Sequence, residues 1–433
     1  MKILSFLLAG LAFASLSTGA EEVNWPEFRG PRGDGTSLST GLPLKWSPTE
    51  NVKWHTPIHG RAWSSPVIWG DQIWLSTASE DGRELSALCL DKATGKIVRD
   101  KKLFDVEKPQ FAHKFNSYGS PTPAIEEGRV YVTFGSPGTA CLDTKTGDVL
   151  WQRRDIECNH YRGAGSSPIL WKDFLILNFD GSDVQFLMAF DKKTGKTAWK
   201  TGRSIDFRDL DKDGKVEAEG DFRKAYATCQ IAEIDGQPVL LSQGAKAFYA
   251  YEPATGAELW RVEERSTQGV GVRPLYAHGL VYTTTGWTRS HLMAIHPGKQ
   301  GEALDVAEKA PAGQELKIEW MTTRGTPKKP SPTVVGDLIF SVDDSGVASC
   351  WKAKTGEVVW NERLGGNFSA SPLAADGRLY FCNEEGKTVV VPSDGRFEKL
   401  AENELPGGFM ASPAVSGKAL FLRTKTELWR IEQ

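Results

Sequence analysis

The chain has 433 residues, 40% of them hydrophobic and 25% charged, enough to bury a large core; a formal net charge of -3 and a pI near 6.2 exclude wholesale binding to nucleic acid or to an anionic membrane surface. Length alone predicts about two or three domains. Internal repeats, which appear from residue 64 onward, overrule that expectation.

Lys2 opens the chain, an apolar run extends from Ile3 to Leu16, and Ser17-Thr18-Gly19-Ala20 precede Glu21-Glu22. A basic start, a short apolar segment and small residues at the cut predict a secretory signal peptide over 1–20, cleaved after Ala20. No cysteine comes after the apolar run to carry a lipid, and no later run is long enough to span a bilayer. A soluble secreted or periplasmic protein is expected, with no membrane insertion.

Residues 21–45 are rich in Gly, Pro and Arg. They read as an extended arm whose Trp25-Pro26-Glu27-Phe28-Arg29-Gly30 packs aromatics on the main body. The arm contains Arg32-Gly33-Asp34, and glycine and aspartate there serve a turn rather than adhesion. The body occupies 46–433 and alternates two signatures. One is Ser-Pro, a short apolar run, a two-residue turn and a β-prone run, as in Ser65-Pro66 through Gly70-Asp71 to Ile73-Trp74-Leu75. It returns at Ser120-Pro121, Ser167-Pro168, Ser331-Pro332, Ser371-Pro372 and Ser412-Pro413, with degenerate copies at Thr228-Cys229 and Arg273-Pro274.

The other signature is Asp191-Lys192-Lys193-Thr194-Gly195-Lys196-Thr197-Ala198-Trp199, repeated at 143–151, 252–260 and 352–360 and blunted at 91–99. Glycine takes the positive φ of a tight turn, and Trp supplies a large apolar surface to the strand after it. Each unit therefore holds four strands, and eight such units predict an all-β, eight-bladed β-propeller of four-stranded antiparallel blades. The last unit, from Ser412 to Ile431, is one strand short, whereas Asn51-Val52-Lys53-Trp54 is a Trp-ending strand without a blade. An N-terminal strand completing the last blade would remove two free sheet edges. Two insertions, 201–224 and 298–317, interrupt the rhythm and must emerge at the faces of the ring.

Cys89, Cys141 and Cys350 stand where other copies have Ala189, Ala250 and Ala294, so they read as small core residues. At most one disulfide is expected among the six cysteines.

The pattern Ala-x-Asp-x-x-Thr-Gly-x-x-x-Trp, here Ala189 to Trp199, resembles the tryptophan-docking repeat of pyrroloquinoline-quinone (PQQ) dehydrogenases and their PQQ-like propeller relatives. The resemblance covers nearly all of the mature chain and extends to the Trp-Pro-x-Phe-Arg-Gly arm, which is similar to that of exported PQQ-like repeat proteins. Those relatives include the propeller lipoprotein of the β-barrel assembly machinery, a scaffold without a quinone. For the dehydrogenases, the resemblance implies adjacent cysteines, a calcium held by Glu, Asn and Asp in the channel, and an Asp base. No Cys-Cys occurs here.

Two sites are expected from the residues. Asp209, Asp211, Asp213, Lys215 through its carbonyl, and Glu217 keep the order of a calcium loop. Gly220 stands where a bidentate Glu is usual, so Asp221 would complete the set. Its bland counterpart is an acidic solvated loop. The second site is the channel mouth, where residues just ahead of each Ser-Pro converge. These are Arg61, Trp63, His113, Asn116, Tyr118, His160, Arg162, Tyr226, Arg273, Arg324, Asn367 and Phe409. Arginines with interleaved aromatics suit a planar anion, while polar loops with paired arginines are what any propeller face shows. The expected function is a monomeric, non-catalytic binding or scaffold protein with a protein, peptide or glycan partner on that face. The rival is a PQQ-dependent alcohol dehydrogenase.

Overall fold

The computed structural model describes residues 23–216, 220–266, 268–287, 290–308 and 311–433. The signal segment expected over 1–20 lies outside them. The described residues form eight sheets in a ring: blades 1 to 8 begin at Val67, Ala124, Ile169, Gln230, Leu275, Thr333, Leu373 and Ala414. In each blade two residues join the innermost strand to its neighbour, and the short inner strands lie side by side around the channel. Beyond the inner strands, side chains facing the next blade are almost all buried, so the cores are inter-blade layers such as Val67, Trp74, Phe104, Val130 and Phe134 between blades 1 and 2.

The ring closes as the orphan strand required. Val52–Pro57 pairs antiparallel with Glu427–Ile431, with His55 opposite Trp429, and the His55 ring stacks on that indole at 4.4 Å. Two blades carry a fifth strand that the repeats do not announce. Thr36–Ser37 of the arm runs parallel to the inner strand of blade 7, and Glu302–Asp305 of the second insertion runs parallel to the outer strand of blade 4. One register differs from the sequence reading: the second inner strand is opened by Thr122-Pro123 rather than by Ser120-Pro121, because the strand itself starts at Ala124. All six cysteines are buried free thiols.

The repeated Thr-Gly and Trp answer each other across blades. Trp54, Trp151, Trp199, Trp320 and Trp360 each donate the indole N–H to a carbonyl in the turn of the next blade, at 2.8–3.2 Å. Gly95, Gly195, Gly256 and Gly356 have φ near +70° and lie under those rings, where a Cβ would come within 2.5–2.6 Å of an indole carbon. Glycine is thus demanded twice, by the turn and by the close approach of the ring. In blunted blade 1, Arg99 takes the place of the Trp: its guanidinium donates to Lys145 O, and its stem lies over Gly147.

Candidate functional site

Seven of the eight inner strands have a proline at the head, blade 4 having Cys229; proline has no N–H to give, and the residue before it reaches sideways to the next blade. Ser65 N donates to Thr122 Oγ1, Thr122 N to Ser167 Oγ, and Ser167 N to Thr228 Oγ1, at 2.9–3.0 Å. The relay resumes from Arg273 N to Ser331 Oγ, then Ser371 Oγ, Ser412 Oγ and back to Ser65 Oγ, again at 2.9–3.0 Å. It is broken once, at blade 5, where Arg273 stands in place of a hydroxyl.

Below this belt the N-terminal arm closes the channel. It bonds blade 1 through Trp25 and Ile68, blade 2 through Pro26 and Ile125, and blade 7 through Gly35 and Ala374. Buried Arg29 donates to Ser331 O, Pro332 O and Thr333 Oγ1 of blade 6. Arg273, 1% exposed, points to this end and holds Glu27 at 2.6 Å and the carbonyl of Phe28. Burial outweighs Arg273 in setting Glu27, whose carboxyl is pushed above its usual range.

Above the belt the channel stays open as a blind cavity of about 490 Å³, with Phe28 of the arm in its lining. Trp63, Phe115, Tyr226 and Trp287 supply aromatic surface; Arg162, Lys328 and Lys329 supply positive charge. Asp221 is the carboxylate in the described lining and pairs with Arg162 at 2.8 Å. Lys329 meets Glu384 at 2.9 Å and Asp344 at 3.7 Å, both behind the wall. Burial raises the Asp344 carboxyl. It works on Glu384 in the same sense, but there the hydrogen bond of Ser369 and the charge of Lys329 overcome it and hold the carboxyl low. Lys328 sits over the Trp287 ring at 5.6 Å, Arg61 over Trp63 at 5.3 Å and Lys114 over Phe115 at 5.4 Å. Among the described residues none of these three cations has a carboxylate within 4.0 Å.

The structure thus gathers Trp63, His113, Asn116, Arg162 and Tyr226 of the expected mouth, with Arg61 at its rim. Asn116 serves the wall, donating to Arg162 O and Ala164 O. The other expected residues stand elsewhere. Tyr118 packs under Gly82, His160 and Phe409 are buried, and exposed Asn367 is held by Glu385. Arg324 is exposed outside the lining, and Arg273 serves the opposite end. Sequence reasoning missed Phe28, Phe115, Trp287, Lys328 and Lys329. The lysines were findable, since they precede Ser331-Pro332 more closely than Arg324 does.

The acidic loop does not bring its carboxylates together. Asp209 is clasped by Arg223 at 2.6 and 3.0 Å, which holds its carboxyl below the ordinary range. Asp221 turns to Arg162, and Asp211 accepts the N–H groups of Asp213 and Lys215, whose carbonyl in turn accepts Asp211 N–H. Glu217 lies outside the described residues, and among those described no group of three or more His, Cys, Asp or Glu could hold a metal.

Buried His160 gives a testable consequence. Its Nε2 accepts Ser136 N–H at 2.8 Å, so the ring is neutral, and burial followed by the charge of Lys224 holds its pKa well below 6.5. Below that pH the unfolded imidazole takes a proton that the folded one refuses, so stability falls on acidification. The expected loss is about 1.4 kcal/mol by about pH 5.5. Melting of the wild type and His160→Gln at about pH 7.5 and 5.5 should show a larger acid-dependent loss in the wild type, the variant keeping only what other groups such as His113, which burial also lowers, contribute.

A family model described as outer membrane protein assembly factor BamB matches residues 47–209, 185–306 and 307–403. The quinohemoprotein alcohol dehydrogenase ADH-IIG of Pseudomonas putida is 22% identical over 301 residues, which are 66% of this chain and 37% of that enzyme. The chain therefore spans little more than a third of that relative. Among solved structures, BamB from Moraxella catarrhalis aligns with a TM-score of 0.57 and 13% identity over 88% of this chain and 99% of its own. Quinohemoprotein alcohol dehydrogenase from Comamonas testosteroni aligns with a TM-score of 0.54 and 13% identity, over 96% of this chain and 81% of its own. At such identities the likeness shows the fold alone.

Proposed function

Because this chain belongs to the family of PQQ-like propellers whose model is described as outer membrane protein assembly factor BamB, we infer that it is a non-catalytic binding protein acting outside the cytoplasm. Its open face receives an acidic segment of a protein partner. The observation that carries this is the blind pocket, where Arg162, Lys328, Lys329 and the rings of Phe28, Trp63, Phe115, Tyr226 and Trp287 face a single carboxylate in the described lining. Arg61 and Lys114 extend the positive charge to the rim, and exposed Phe111 and Phe115 offer apolar anchors beside them. Aromatic and arginine side chains around a pocket are the usual carriers of interface affinity.

A quinone dehydrogenase would need adjacent cysteines, a calcium donor set and a free acid at the mouth. No two of the six cysteines are adjacent, and Asp221 is tied to Arg162. The residues present do not fit that centre.

The test is a titration of short peptides pairing Asp or Glu with an aromatic residue, monitored by tryptophan fluorescence. Acidic peptides should saturate and weaken with salt. Arg162→Ala and Lys328→Ala should each weaken them about tenfold, or roughly 1.4 kcal/mol. Equal binding of Asn or Gln counterparts would remove the basis of the proposal.

A further inference from the structure

The belt does more than join the blades, and its second role presupposes the acidic-partner function. A serine or threonine hydroxyl has one O–H to give and two lone pairs. At each of the seven hydroxyl positions one lone pair takes the N–H of a neighbouring blade. No O–H of the seven reaches an acceptor among the described residues. Six of them, Ser65, Thr122, Ser167, Thr228, Ser371 and Ser412, line the pocket, while Ser331 is shut off from it. Where Arg273 interrupts the relay, Thr228 N–H also lacks the hydroxyl acceptor that its counterparts find. The base of the pocket is therefore a ring of donors with its acceptor capacity partly committed to the scaffold. Such donors call for acceptors, and a group with several acceptor oxygens and no hydrogens satisfies them best.

We propose that the base of this pocket is an oxyanion site. The carboxylate or phosphate of the partner enters along the channel, its oxygens collect O–H donors from successive blades, and Arg162 and Lys328 balance its charge from above. Phe28 and the arm close the floor, so the acid group stops at the belt.

The probes are inorganic phosphate and acetate, titrated into the mature protein by calorimetry with Trp fluorescence as a second readout. Saturable binding of phosphate marks a phosphorylated group and binding of acetate a carboxylate. Ser167→Ala and Ser371→Ala should each lower affinity for the bound anion about tenfold. They lie in different halves of the ring, so misfolding of one leaves the other. Ser331→Ala loses the same scaffold bond but does not touch the pocket, so it should shift the melting temperature comparably and leave anion binding unchanged. Thr122→Ser should bind as the wild type does. If the belt variants bind normally while Arg162→Ala does not, the oxyanion site is wrong and the acidic-partner function survives. If neither anion binds the wild type, the oxyanion site is equally wrong, and the peptide titration alone decides the broader function.

Discussion

Asp180→Ala is expected to lower the unfolding free energy by about 3–5 kcal/mol, the cost of leaving a buried cation without its partner. Asp180 and Arg203 bury all but 1–2% of their side chains and form a bidentate pair at 2.9 and 2.7 Å. The guanidinium also donates to Ser242 Oγ at 2.9 Å and lies 4.8 Å from the centre of the Tyr249 ring, so it ties blade 3 to blade 4. Burial draws Arg203 toward neutrality, but the charge of Asp180 prevails and holds it well above its usual range. A guanidinium is not deprotonated inside proteins, so removing the aspartate leaves that charge buried without its partner. The expectation separates loss of a pair from loss of packing: Asp180→Leu with Arg203→Met together should cost far less than the sum of the two single changes. A double-mutant cycle by urea unfolding checks this, and additive costs would show that no coupled pair exists. Asp180 O also accepts Ala225 N–H at 3.4 Å, where the insertion carrying Asp221 rejoins the ring. Loosening this junction should therefore weaken ligand binding in the same variant.

The fold was legible because its determinants repeat. Trp199 and Gly195 are unremarkable singly, but their recurrence at fixed spacing reveals a contact between neighbours, and the structure supplies its form as an indole lying on a positive-φ glycine. Arg99 shows the limit of such reading. The letter changes and the docking contact persists, through a guanidinium and a carbonyl. The pocket was half legible. Position ahead of Ser-Pro leads to Trp63, Asn116 and Arg162, which line the pocket, but it cannot tell which way a side chain turns along the channel. Arg273 turns down because Glu27 and the Phe28 carbonyl wait there, and nothing local to Arg273 announces a partner 246 residues away. The hydroxyl belt is written in the sequence as Ser-Pro and related strand starts. Read as strand openings alone, they conceal that each hydroxyl is also an acceptor for the N–H of the blade before it.

The largest effect expected of any change comes from the closure. A chain beginning at Ile58 lacks the arm and the strand Val52–Pro57, and should not fold cooperatively. It loses buried Trp25, Leu42, Trp46 and Trp54, all members of one core cluster with blades 1, 7 and 8. Removing a buried large side chain costs about 2–5 kcal/mol, so four together cost about 8–20 kcal/mol, as much as the roughly 5–15 kcal/mol that holds a typical domain folded. The deletion would also strip Glu27 from buried Arg273 and reopen the channel floor at Phe28. Blade 8 would keep three strands, with Glu427–Ile431 as an unpaired edge at the outer rim of the ring, which invites association between copies. Because these contacts are non-covalent, residues 23–57 supplied as a separate peptide should restore a single melting transition and the anion-binding pocket together. Circular dichroism melts and phosphate titration of the truncated chain, with and without the peptide, make the comparison. A truncated chain that melts cooperatively alone would mean that the ring stands without its closing strand. Recovery of melting without recovery of the pocket would assign the closing strand to stability and leave the arm's place beneath the belt unsupported.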